Sequence, residues 1–154
     1  MAATPASPPL VFVDANILLY SEDASESVKQ TIAGQWLGVL WRNRTGRVSV
    51  QSLNEFYVNA TRKLKPPMPF ADAQTEVRRY EPWHPWQVDA ATIESAWAIQ
   101  SRFGFHYWDC LVLAAAQHLG CRYVLSEDMG HEQKIGSLQI INPFKADIAL
   151  LGCS

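Results

Sequence analysis

The chain has 154 residues, 48% of them apolar, and carries 13 basic and 15 acidic side chains for a net charge of −2. Such a chain is expected to form one soluble domain that buries about two thirds of its unfolded surface, and its apolar stretches are interrupted well short of the ~20 residues a membrane span requires. Three cysteines, Cys110, Cys121 and Cys153, are odd in number and lack C-x-x-C spacing, which argues against both a disulfide framework and a zinc site.

In chain order, residues 1–8 are Ala/Ser/Pro-rich and lack the basic start and long apolar segment of a signal peptide; a disordered lead and a cytoplasmic location are expected. Val11-Phe12-Val13 then reads as a short buried strand that stops on Asp14, and the apolar Ile17 to Tyr20 makes Asp14 a strand-to-helix junction. Asp23 to Glu26 resembles a helix start, and Val28, Ile32, Trp36 and Leu40 recur at a spacing of four until Thr45-Gly46. Residues 47–50 alternate as a strand would. Ser52-Leu53-Asn54-Glu55 fits a capping box that opens a helix carrying Leu53, Phe56, Tyr57, Ala60 and Leu64, which the prolines of 66–69 end. A further helix is expected over 71–80.

Proline breaks the segment 81–86, so any strand there is short and at a sheet edge. Asp89 can cap a helix bearing Ile93, Ala96, Trp97 and Phe103, closed by Gly104. Tyr107 to Ala116 is apolar on nearly all sides, as a buried helix would be, and strands are expected at 122–125 and 137–141. Alternating strands and helices imply a three-layer α/β/α sandwich, with a central, mainly parallel sheet covered on both faces. Residues 9–144 are expected to be the domain and 145–154 a tail.

Four acids fall at comparable places in separate units. Asp14 ends the first strand, Glu55 and Asp109 lie near the starts of helices, and Asp128 follows the fourth strand. In a parallel sheet with right-handed crossovers these positions share one edge, where ligands bind. Each acid alone has a plain structural explanation: Asp14 and Asp109 as helix caps, Glu55 as the second member of its capping box, Asp128 as a turn residue. Together they repel by ~1 to 4 kcal/mol per close pair. A divalent cation removes that difficulty; oxygen ligands without clustered His or Cys suit Mg²⁺ or Mn²⁺, and a hard cation suits phosphodiester cleavage. Asn16 and Ser126 are placed to position water, metal or a carboxylate.

Charge is also uneven along the chain. Residues 42–79 hold eight bases (Arg42, Arg44, Arg47, Arg62, Lys63, Lys65, Arg78, Arg79) against three acids, a balance of +5, while the remainder holds five bases and twelve acids, a balance of −7. The first six bases are candidates to hold an RNA backbone, solvated helix faces being the plain alternative. The tryptophans at 36, 41, 83, 86 and 97 are expected mostly in the core or a dimer interface. His84 and His118 are expected to pack, and no histidine set has ligand spacing.

These residues carry a resemblance. A hydrophobic strand with Asp14-x-Asn16, Glu55 in Ser-Leu-Asn-Glu-Phe-Tyr, Trp108-Asp109 before an Ala-rich helix, Ser126-Glu-Asp128 after Tyr-Val-Leu, and a closing Ile-Ile-Asn-Pro-Phe144 resemble a PIN-domain ribonuclease, most of all a VapC-type toxin of bacterial toxin-antitoxin pairs. The resemblance covers residues 11–144; Ser126 stands where that family often has Thr. It implies that Asp14, Glu55, Asp109 and Asp128 bind metal, that Asn16 and Ser126 support them, and that RNA is hydrolysed with Mg²⁺ or Mn²⁺. It also implies a homodimer and a cognate antitoxin. Two alternatives stand beside it: a degenerate module that only binds RNA or protein, and a phosphatase of the haloacid dehalogenase type. The phosphatase requires a second Asp where this chain has Asn16.

Overall fold

Three consecutive residues with no exposed surface, Val11, Phe12 and Val13, form strand β1 (Val11–Val13) near the middle of the sheet. The computed structural model describes residues 7–152, so most of the expected lead, residues 1–6, and Cys153 lie outside the described residues. After β1 come α1 (Ala15–Tyr20), α2 (Ser27–Asn43), β2 (Gly46–Arg47), α3 (Val50–Arg62) and α4 (Phe70–Arg79). A short 3₁₀ turn (Glu81–Trp83) leads to α5 (Ala90–Phe103) and α6 (Tyr107–His118); β3 (Tyr123–Leu125), β4 (Lys134–Ile135) and β5 (Leu138–Ile141) complete the sheet.

The strand order is β2-β1-β3-β5-β4. β2, β1, β3 and β5 are parallel, with Val11 beside Gly46 and Tyr123 and with Leu125 beside Ile141. β4 runs antiparallel to β5 as a hairpin turning at Gly136, whose φ of 61° suits glycine. This hairpin was not legible as a strand, because Lys134-Ile135 is too short to show a period.

The pleat sends Val11, Val13, Tyr123, Leu125 and Ile141 into one core with Trp36 and Leu40 of α2 and Leu53 and Phe56 of α3. Phe12, Val124 and Ile140 face the other way, onto Ala96 and Ile99 of α5 and Cys110 to Ala116 of α6. Helices therefore cover both faces, and the sandwich expected from the alternation of elements is the observed one. Among the described residues no helix is long and apolar enough to cross a membrane.

Several local expectations are corrected. The helix after β2 starts earlier than Ser52: Ser49 is its N-cap and accepts from the Ser52 backbone N–H at 3.1 Å, so Ser52-x-x-Glu55 is not a capping box and Glu55 lies in the second turn. Ser49 wins because extended residues 48–49 are tied to Trp86, whose N–H donates to Val48 O (3.0 Å) and whose O accepts from Val50 N (2.9 Å). The edge strand looked for in 81–86 amounts to that one bridge. Asp23 binds Ser25 rather than capping α2, and Val28 is 71% exposed, because a four-residue spacing drifts off the buried face of a 3.6-residue helix. His84, expected to pack, is exposed with a left-handed backbone. Residues beyond 144 include a 3₁₀ turn (Ile148–Leu151) whose Leu151 is buried in the first core.

Candidate active site

The parallel register brings the residue after β1 and the residue after β3 side by side. Asp14 is 7% exposed. Its Oδ1 accepts from Ala15 N (2.8 Å), so it does cap α1, and its Oδ2 accepts the Ser126 hydroxyl at 2.9 Å. At the start of α1, Asn16 reaches across the same gap: its Nδ2 donates to Asp128 Oδ2 at 2.9 Å and lies 3.5 Å from Ser126 Oγ. The Asp128 backbone N–H points back at Ser126 Oγ (3.3 Å). Asp14, Ser126, Asn16 and Asp128 thus form one connected polar chain across 112 residues of sequence. Glu127, between two members of that chain, turns away to accept from the Tyr20 hydroxyl (2.9 Å) and pair with Lys29 (2.8 Å).

Glu55 and Asp109 approach from two helices that start at the same edge. Asp109 lies in the first turn of α6 but does not cap it; His106 holds the N-cap position and makes no side-chain cap bond. Gln51 joins the two helices, its Nε2 donating to Glu55 Oε1 at 3.1 Å and lying 3.4 Å from the Trp108 carbonyl. Sequence reasoning missed Gln51. Its only signal is its position four residues before Glu55, one helical turn away on the same face. Trp108, next to Asp109, is 64% exposed.

The electrostatics tie all four acids together. Burial pushes the Asp14 carboxyl up to about 7; the Ser126 and Ala15 hydrogen bonds oppose that shift, and the charges of Glu55 and Asp109 add to it. Asp109 is also raised, first by burial, then by Asp128 and Glu55, with His106 pulling the other way. Among the described residues no three acidic, histidine or cysteine side chains close around a single point. The donor set nevertheless fits a hard cation. It is all oxygen, Asp14 gains a counter-charge, and the buried Asn16 Oδ1 has no hydrogen-bond partner.

The six candidate RNA-binding bases do not join this edge. Val11 N donates to Thr45 O, so Arg44 lies at the amino ends of the parallel strands, opposite the acids, with Arg42 beside it at the end of α2. Arg47 is half-buried and donates to the Arg44 and Gly46 carbonyls (3.3 and 2.7 Å). Arg62 ends α3 and Lys63 and Lys65 follow it; that helix starts at the acidic edge and carries its last turn roughly 20 Å away. His118 is structural: it stacks on Trp86 with ring centroids 5.5 Å apart and meets Ser95 Oγ at 3.1 Å. Cys110 and Cys121 are free and buried.

Among solved structures, the chain is similar to Mycobacterium tuberculosis VapC20, described as a Sarcin-Ricin loop cleaving toxin; the TM-score is 0.56 at 19% identity, over 77% of this chain and 89% of that one. Comparison with curated proteins finds none that matches. The PIN domain family model matches residues 11–134, a span that holds β1, the connected polar chain and both acid-bearing helices. On that match, the chain belongs to the PIN domain family.

Proposed function

We propose that this protein is a metal-dependent endoribonuclease and the toxin of a type II toxin-antitoxin pair, acting in the cytoplasm as a homodimer that a cognate antitoxin inhibits. The observation that carries the catalytic part is the connected chain Asp14–Ser126–Asn16–Asp128, with Glu55 and Asp109 close enough to raise the carboxyl of Asp14. VapC20, which shares the fold, is described as cleaving the Sarcin-Ricin loop, and a toxin acting on RNA is the reading carried over from it. The phosphatase alternative has lost its support, because the family match is to PIN domains and Asn16 replaces the acid it needs.

Asp14, Asp109, Glu55 and Asp128 would hold Mg²⁺ or Mn²⁺, and Asn16 Oδ1 offers a neutral oxygen beside them. A cation held there would offset charge building on the phosphate and lower the pKa of an attacking water. The protein's own part is to fix the acids. Ser126 and the Ala15 N–H hold both oxygens of Asp14, Asn16 holds Asp128, and Gln51 holds Glu55 against the start of α6. Arg42 and Arg44, at the opposite edge from the acids, would serve parts of the substrate away from the scissile bond.

The test is cleavage of a structured RNA by wild type with Mn²⁺ or Mg²⁺, by wild type with EDTA, and by Asp109→Asn. Metal-dependent cutting that the variant lacks, together with calorimetric Mn²⁺ binding lost in the same variant, is expected. A wild type that neither binds Mn²⁺ nor cuts RNA would leave the degenerate binding module as the better reading.

A further inference from the structure

The basic end of the molecule holds a feature that the acidic site does not use. A pocket of about 380 Å³, within the ~300 to 1,000 Å³ of small-ligand sites, is lined by Trp41 and Arg44 from the end of α2 and by Pro82, Trp83 and His84 after α4. Its aromatic walls, Trp41 and Trp83, have ring centroids 4.8 Å apart. Among the described residues no acidic side chain lines it. The nearby Arg79 is already engaged, stacked over Trp41 at 5.0 Å and paired with Glu76 at 3.1 Å.

One observation marks the pocket as more than a packing gap. Trp83 lines it and is 2% exposed, yet its indole Nε1 has no hydrogen-bond partner. An unmet buried donor costs about 1–3 kcal/mol. Arg44 (φ 57°) and His84 (φ 52°), the left-handed C-caps of α2 and of the 3₁₀ turn, bring a guanidinium and an imidazole to the same pocket. An unmet donor, a guanidinium, an imidazole and the Trp41 ring together suit a planar, acceptor-rich, anionic group.

We propose that this pocket is a second RNA-binding site, taking one nucleotide of the substrate, with its base against the half-buried Trp41 ring beside Trp83 Nε1 and its phosphate at Arg44 and His84. The proposal rests on the reading that RNA is the substrate. It also accounts for the placement of the positive charge at the end of the sheet opposite the acids, a separation of roughly 20 Å, the length of α3, which several nucleotides can span. The enzyme then recognises RNA at two points, and a folded loop that reaches both is preferred over a short strand that reaches only the acids.

The experiment uses full-length Asp109→Asn protein, which cannot cut, with ¹⁵N-labelled indoles and a structured RNA as probe. The Trp83 indole resonance, assigned from the spectrum of Trp83→Phe, is expected to move on RNA addition. Arg44→Gln combined with His84→Asn in the Asp109→Asn background is expected to weaken RNA binding about tenfold and to reduce the slope of log affinity against log salt by about 0.7 for each phosphate no longer neutralised. The same pair of changes in otherwise wild-type protein should leave Mn²⁺ affinity and Tm unchanged. A stationary indole and unaltered RNA affinity, in a protein whose wild type cuts RNA, would overturn the second site and leave the nuclease reading intact. An indole that responds to an acidic peptide and not to RNA would also overturn it, in favour of a protein partner. If wild type neither cuts nor binds any RNA, the nuclease reading fails and takes this proposal with it.

Discussion

Asp14 is the residue on which stability and activity make opposite demands. The unfolded chain releases its proton near 3.8, whereas the folded chain keeps it to about 7, so the folded state binds more protons between those values. The stability this proton confers is full below pH 3.8 and is lost as pH rises through 7. Ionising the buried carboxyl costs at most about 4 kcal/mol, at 1.36 kcal/mol per pKa unit. Metal-free Asp14→Asn should therefore melt several degrees above wild type at about pH 8 and show no such gain at about pH 4, as thermal denaturation will reveal, while its RNA cleavage is abolished. Since a metal competes with that proton, Mn²⁺ affinity should tighten up to about tenfold per pH unit from about 5.5 to 7, which calorimetry can follow. Asp14 and Ser126 were legible in the sequence because each directly follows a buried apolar run. Gln51 was not, because a glutamine on the polar side of an amphipathic helix looks like any other solvated residue until α6 is seen beside it.

At the level of elements, α3 shows how a small error in register changes a reading. Two serines, Ser49 and Ser52, both fit a helix start, and only the tie of Val48 and Val50 to Trp86 decides between them. Ser49→Ala removes the cap and leaves the Ser52 hydroxyl without its 3.1 Å partner; a loss of about 1–2 kcal/mol is expected in denaturant titration. Gln51→Ala, by contrast, should leave stability within about 0.5 kcal/mol of wild type and lower the cleavage rate several-fold, because it frees Glu55 rather than the helix. β2 has a tighter constraint. A Cβ on Gly46 would sit 2.5 Å from the Trp83 ring, so Gly46→Ala should cost roughly 1–3 kcal/mol through displacement of that indole. Such a close approach involves residues 37 positions apart, and neither residue signals it alone.

Across the whole molecule, a net charge of −2 conceals a separation of charge between the two ends of the sheet. Counting along the chain found the imbalance in 42–79 but not its location, because a parallel strand sends its two flanks to opposite edges. The layered fold was legible because strands and helices alternate, a pattern that says nothing about where the bases fall. Binding of a cation to the folded form alone stabilises it by about 2.7 kcal/mol at a hundredfold excess over Kd. Saturating Mg²⁺ or Mn²⁺ should accordingly raise Tm by several degrees in wild type and not in Asp14→Asn, a comparison that separates metal binding from general salt effects.

Both margins of the sheet are cut short. β2 and β4 offer two residues each, and β4 carries an exposed lysine at its start. A rim so brief gives a foreign strand almost no ladder to join, and lysine on it discourages stacking further. Growth into fibrils by strand addition is thereby disfavoured at both sides.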